Sequence, residues 1–434
     1  MWCDVLQVER VGRNDNFFEL GGHSLLAVRL IERMRVAQLH ADIRTLFTAP
    51  TLGALAAAVG SESHTVEVPP NLIPAGALTI SSEMLPLVHL SDAQIEQIVA
   101  TVEGGASNVE DIYPLAPLQE GILFHHLLSS KGDPYLLYSV QRFDSRARME
   151  RFLAALQAVI DRHDILRTAF VWEGLPEPVQ VVWRQARLAV EEFEIDAACE
   201  DVAAELSAKF NPRRYRLDVR KAPLFRAAYA HDAQADRYVM VLLFHHLISD
   251  HTTFALVFAE VQAYVLGHES AMPAPLPFRN FVAQARLSVP REEHEVFFRE
   301  MLGDIDEATA PFGLTDVQGD GSGIAEARIM LDSGLARRLR ARARALGVSA
   351  ASILHLGWAR VLAAVCGRDD VVFGTVLFGR MQRGEGSVRP LGFFLNTLPV
   401  RVHLDDTGVA ASVRKTHALL AQLLRHEHAP LALA

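Results

Sequence analysis

The 434-residue sequence predicts a small all-helical unit over residues 1–60, a linker over 61–109 and a larger α/β region in two parts, 110–290 and 291–434. Three observations carry this prediction. Residues 1–60 show helical spacing (Leu25, Val28, Ile31, Met34) and no alternating stretch. Residues 61–90 hold Pro69, Pro70, Pro74 and Pro86 without a single Lys or Arg, the composition of an extended connection. From Asp111 onward, amphipathic helical patterns alternate with apolar runs of strand length.

In chain order, Trp2, Val5 and Leu6 begin the sequence inside an apolar helical pattern. A second helix follows Gly21-Gly22-His23-Ser24, and Thr51 precedes a last one rich in Leu and Ala. Within the linker, Ser91 and Gln94 form a capping-box pattern. Ile95, Ile98, Val99 and Val102 then give helical spacing over 91–102, ended by Gly104 and Gly105. Met149, Phe152, Leu153, Leu156, Val159 and Ile160 mark one strong amphipathic helix. Residues 167–172 and 179–183 fit strands around a Gly-Leu-Pro turn, and 237–244 fits a strand buried on both faces. A helix fits 252–265. The last part repeats the theme, with helices at 335–346, 349–364 and 409–425 and strands at 371–377 and 398–403.

Net charge is −10 and the isoelectric point about 6.0, and so weakly acidic a chain gives no support for nucleic-acid binding. Cys3, Cys199 and Cys366 form neither a CxxC pair nor an even framework, which argues against a structural zinc or disulfides and for a reduced, cytosolic setting. No apolar run approaches the roughly 20 residues of a membrane span. Residues 1–10 lack a signal-peptide layout. The abrupt ends, the second just after HEHAPLALA, are those expected of a piece cut from a longer polypeptide.

Three short stretches carry candidate chemistry. In NFFELGGHSLLAVRL, two glycines precede a helix start and would push the Ser24 hydroxyl out at a helix N-terminus. A phosphate ester there would meet free N–H groups and the helix dipole; the plainer alternative is an N-cap serine. In HHLISDH, His245 and His246 follow the apolar strand and should face opposite ways, with Asp250 in the turn behind them. An imidazole so placed suits proton transfer near neutral pH. The competing readings are a hydrogen-bonded structural histidine and a metal site built from His246, Asp250 and His251, whose spacing matches no strong signature. In HHLLSSKGD, His125 and His126 close a helix before a polar turn containing Gly132 and Asp133. Physical chemistry alone reads this as a helix C-terminus, where His and Lys suit the dipole.

These stretches also carry resemblances. FFELGGHSLLAVRL resembles the core of a peptidyl carrier domain of nonribosomal peptide synthetases, which implies covalent 4′-phosphopantetheine on Ser24. HHLISD resembles the HHxxxD motif of the condensation-domain superfamily. YPLAPLQEGILF, RHDILRTAF, LPFRNFVA and LGFFLNTLPVR resemble further motifs of that family, in order, over residues 111–434. The resemblance implies two chloramphenicol-acetyltransferase-like α/β lobes in a V, here with the second lobe incomplete. It implies that His246 is the active-site histidine, His245 a buried partner and Asp250 mainly structural, with Arg380 as the candidate partner of Asp250. His125, His126, Leu127, Gly132 and Asp133 match the extended signature of dual epimerisation/condensation domains. DHTT after the second pair also resembles that subtype.

The implied activity is inversion of a carrier-bound L-aminoacyl or peptidyl thioester at Cα, then peptide-bond formation with a downstream aminoacyl thioester. Implied partners are upstream and downstream carriers, adenylation domains and a phosphopantetheinyl transferase. His246 can orient the attacking amine, take its proton late or stabilise the tetrahedral intermediate, and sequence does not choose among these. The rival readings are a plain condensation domain, a non-catalytic carrier-docking module and an acyltransferase using free coenzyme A.

Overall fold

The computed structural model describes residues 1–22, 24–37, 39, 41, 46–47, 50–59, 67–196, 199–314, 324–379 and 390–434. In chain order the elements are α1 (Trp2–Leu6), α2 (Ser24–Val36), α3 (Leu52–Ala58), α4 (Asp92–Ala100), β1 (Val109–Pro114), α5 (Pro117–Leu128) and β2 (Leu136–Phe143). They continue with α6 (Arg146–Arg162), β3 (Thr168–Val171), β4 (Val179–Trp183), β5 (Ala189–Glu192), α7 (Val202–Lys209), β6 (Phe225–Asp232), β7 (Arg237–His245) and α8 (His251–Leu266). The last are α9 (Arg279–Leu287), α10 (Arg291–Leu302), α11 (Ser333–Leu346), α12 (Ala350–Cys366), β8 (Asp370–Phe378), β9 (Leu395–His403) and α13 (Val409–Leu423). Two compact units result: residues 66–287 with 388–394, and residues 1–65 with 288–387 and 395–434.

The first of these units holds two sheets. One is antiparallel, in the order β1-β4-β3; the other runs β2-β7-β6-β5, with only the β5–β6 pair parallel. The central strand β7 is buried from Val239 through His245, as its unbroken apolar run predicts. Residue-by-residue pairing sets Leu136 of β2 opposite His245 of β7. That register delivers the chain just before β2, including Asp133, to the end of β7.

The proline-rich connection is not a free tether. Ile73, Leu85, Val88 and Leu90 are buried in one core with Val109, Ile112, Val179 and Val181 of β1 and β4. Each such side chain contributes about 1.5–3 kcal/mol by leaving water, which is enough to hold irregular backbone against a sheet. The capping box at α4 forms as read: Ser91 Oγ accepts from Gln94 N at 3.4 Å and Gln94 Oε1 accepts from Ser91 N at 2.9 Å. The helix ends at Ala100, short of Val102, because the chain turns through Gly104 at φ +87°.

In the other unit, β8 and β9 form a two-stranded antiparallel sheet. Trp2, Phe17, Phe18, Leu30 and Leu55 from residues 1–59 share one apolar cluster with Ala343, Val348 and Leu356 of the later chain. Phe18 and His417 rings lie 5.4 Å apart, edge to face. Cys3, Cys199 and Cys366 are unpaired. Among the described residues no single helix is long and apolar enough to cross a membrane.

Candidate active site

Burial of β7 carries His245 into the interior, where its ring is fully buried. A polar ring there must be paired, since an unpartnered buried polar group costs about 1–3 kcal/mol. Two partners satisfy it. Nδ1 accepts the Leu247 backbone N–H at 3.0 Å, and Nε2 lies 2.9 Å from Asp133 Oδ2. Because Nδ1 is an acceptor, the proton sits on Nε2 and is donated to the carboxylate.

The same oxygen of Asp133 takes a second histidine. His126 Nδ1 lies 2.5 Å from Asp133 Oδ2, and the two imidazoles stand edge to face 5.7 Å apart. Asp133 Oδ1 accepts the Tyr135 N–H at 2.9 Å. One member of each histidine pair, separated by more than a hundred residues, therefore meets at a single carboxylate. Burial opposes ionisation of Asp133, but the hydrogen bonds from His126 and His245 outweigh it and hold the carboxyl well below the usual carboxylate range. With Asp133 ionised, His126 donates through Nδ1 and presents its lone pair on Nε2. The His126, Asp133 and His245 atoms are close enough to share a metal ion. The tautomer imposed by Leu247 instead joins them by protons, because His245 would have to become an imidazolate to ligate.

His246 begins a 3₁₀ turn rather than extending the strand. Its N–H donates to Tyr135 O at 2.9 Å and its Nδ1 lies 2.9 Å from Ser249 O. A carbonyl can only accept, so Nδ1 bears the proton and Nε2 is again the basic nitrogen. The half-buried ring lies 6.3 Å from that of Phe393. Asp250 is buried and caps α8, accepting from Thr253 N at 2.7 Å and, through its other oxygen, from Phe394 N at 3.4 Å. Thr253 Oγ1 and Gly392 are tied by reciprocal hydrogen bonds of 2.6 and 3.0 Å. The expected partner of Asp250, Arg380, lies outside the described residues.

His125 is exposed beside Tyr135, at 6.1 Å between rings, and does not join the cluster. Gly132 has φ +69°, and a Cβ there would meet Arg213 O at 2.3 Å, so this turn requires glycine. Sequence reasoning missed Gln119, a buried side chain that donates to Leu247 O at 2.7 Å and to Gln180 Oε1 at 3.1 Å. It also missed Arg216, whose guanidinium reaches the carbonyls of the 126–132 turn. Gln119 lies inside YPLAPLQEGILF, where nothing singles it out, and no motif marks Arg216.

Ser24 opens the 13-residue α2; its side chain and His23 lie outside the described residues. Gly21 has φ +99°, and a Cβ on Gly22 would collide with the Phe17 ring at 2.2 Å. The first turn of α2 holds no acidic residue. A helix N-terminus reached through two obligatory glycines and free of acid fits a phosphodiester.

Residues 109–433 match the family described as the condensation domain. The chain belongs to the condensation-domain family. Ahead of this condensation domain, residues 1–59 match the phosphopantetheine attachment site family, which indicates covalently attached 4′-phosphopantetheine. Malpibaldin synthetase of Mortierella alpina is 49% identical over 434 residues, covering 100% of this chain and 8% of that protein. Malpinin synthetase of the same organism is 48% identical over 434 residues, covering 100% of this chain and 6% of that protein. The chain thus spans less than a tenth of these relatives. Among solved structures, holo T3CT has a TM-score of 0.59 at 20% identity, covering 79% of this chain and 75% of that one. The condensation domain from Monacolin K polyketide synthase MokA has a TM-score of 0.56 at 19% identity, covering 75% and 76%. These likenesses show the condensation-domain fold, mixed α/β, and nothing finer.

A pH dependence follows from the buried histidine. Burial pushes the His245 pKa below its ordinary value, against the opposing pull of Asp133. The unfolded chain takes up a proton near pH 6.5 that the folded chain refuses, so this contribution is intact above that pH and lost as pH falls below it. The depressed Asp133 adds its own loss only in much stronger acid. Thermal midpoints followed from about pH 7.5 down to about pH 5 should fall more steeply for the natural chain than for His245→Asn. Equal slopes would refute the assignment.

Proposed function

We propose that this chain forms a peptide bond between a carrier-bound donor and a downstream acceptor, and inverts the donor at Cα beforehand. The observation that carries the proposal is the shared state of two imidazoles. His126 and His246 each spend Nδ1, on Asp133 and on the Ser249 carbonyl, and each keeps Nε2 as a basic atom. In this reading His245 and Asp250 are supports, Ser24 is the attachment residue, and the partners are thioester-bearing carriers.

The bound cofactor supplies a mobile arm that presents the acyl group as a thioester. His246 Nε2 accepts the proton that the attacking amine sheds as its nitrogen bonds to the carbonyl carbon and the carbon–sulfur bond breaks. It returns that proton to the departing sulfur. The α-amine has a pKa of roughly 7.7–8.0, so the demand on the base is modest and positioning supplies much of the rate. Inversion needs one group to remove the Cα proton and another to return one to the opposite face. His126, backed by the Asp133 carboxylate, is the second proton-handling group. The low exposure of the His126 side chain, 7%, is what favours the rival reading of plain condensation.

The test is chirality. The holo chain carrying an L-aminoacyl group on Ser24 is incubated in D₂O, hydrolysed and analysed. Dual activity gives D product with deuterium at Cα, and His126→Ala should slow that exchange by about 10²–10⁴-fold. A D-aminoacyl donor supplied directly should still condense in that variant. Pure, unlabelled L product from the natural chain would reject inversion and leave plain condensation.

A further inference from the structure

We infer that Arg216 is a positioning residue for the His126–Asp133 pair. Its guanidinium donates to three backbone carbonyls of one short segment: Ser129 O, His126 O at 2.5 Å and Gly132 O at 3.3 Å. Among the described residues it pairs with no carboxylate. The half-buried cation is spent entirely on the end of α5 and the turn that leads to Asp133.

The need for such a clamp follows from helix geometry. The last carbonyls of a helix have no partner within it and carry the negative end of the dipole. His126 sits in the last turn of α5, and its own carbonyl is one of these. A planar fork holds several carbonyls in one fixed geometry, whereas an ammonium is a compact charge whose donors rotate. The segment bearing Arg216 grips the turn a second time. Asp133 N donates to Pro212 O at 2.6 Å, and Gly132 packs so close to Arg213 O that no side chain fits. Asn211 shapes that segment, its Oδ1 accepting from Arg213 N at 2.9 Å. The backbone on both sides of the His126–Asp133 hydrogen bond is thus anchored to residues 211–216. Arg216 sets where Nε2 of His126 points without touching the reacting atoms.

This rests on the reading that His126 handles a proton, so the test has one readout independent of activity. A proton held between nitrogen and carboxylate at 2.5 Å resonates far downfield, and proton NMR of the holo chain reads it directly. Arg216→Met should lose that resonance and slow Cα exchange by about 10–100-fold, the scale of a misplacement near 1 Å. Arg216→Lys should keep a weakened resonance and recover part of the exchange. Arg220→Met, at an exposed arginine paired with Asp218, should change neither. A natural resonance and exchange rate in Arg216→Met would overturn the inference. If that variant fails to melt cooperatively, Arg216→Lys decides, and a fully natural resonance there would overturn it too. Absence of exchange in the natural chain would defeat only the inversion reading, while the resonance still tests Arg216.

Discussion

Replacing His246 with alanine is expected to slow peptide formation by about 10²–10⁴-fold, the usual contribution of a positioned acid or base. The measurement is single-turnover transfer from the loaded chain to an aminoacyl group on a downstream carrier. The expectation rests on how the ring is held. Its backbone is pinned to Tyr135 O and its Nδ1 to Ser249 O, so neither the ring plane nor the tautomer is free to drift. Both chains need the neutral amine, so both rates should climb through the amine pKa of roughly 7.7–8.0, with the variant slower at every pH. Near-normal turnover in the alanine variant would remove His246 from the chemistry.

The candidate site was legible in sequence as residue types, not as connections. Both histidine pairs, Asp133 and Asp250 stood out by motif, yet their wiring depends on strand register. Asp133 reaches His245 only because Leu136 pairs with His245 across β2 and β7. A slip of one residue would put that pairing on the other face, and composition cannot exclude it. Alternation along a strand predicted that the two members of HH would diverge. They do, but through a change of backbone: the strand ends at His245 and His246 enters a 3₁₀ turn.

At Asp250 the backbone adds what no sequence pattern displays: Thr253 N and Phe394 N donate to its two oxygens. The connection before α4 shows the same limit. Proline content and missing cations describe a chain that avoids helix and strand. They say nothing about whether Ile73, Leu85, Val88 and Leu90 find an apolar surface. Elements such as β7, an unbroken apolar run, and α12, a long helix, were readable because their apolar patterns coincide with burial. Arg216 was not, because its work is done on carbonyls, which every residue carries.

Incubating the chain with coenzyme A and a phosphopantetheinyl transferase is expected to add one phosphopantetheinyl group, and Ser24→Ala to abolish that mass gain. The backbone argues for this position. Thr51, another hydroxyl residue at a helix start among the described residues, is spent on capping: its Oγ1 accepts from Ala54 N at 3.2 Å. Ser24 instead follows a turn in which Gly21 and Gly22 are both obligatory, and it opens α2 without an acid in the first turn. The helix dipole favours an anion there by about 0.3–1 kcal/mol. That margin is small beside the steric demand, so the glycines select the site and the dipole merely suits it. Loss of the arm should also end peptide formation in cis, where tethering gives an effective donor concentration on the order of mM. A donor thioester on free pantetheine, added in excess, should still be consumed by Ser24→Ala, because His246 and its supports lie in the other compact unit. A mass gain that survives the substitution would place the arm elsewhere. Failure to use the free donor would mean that the variant had damaged the condensation domain itself.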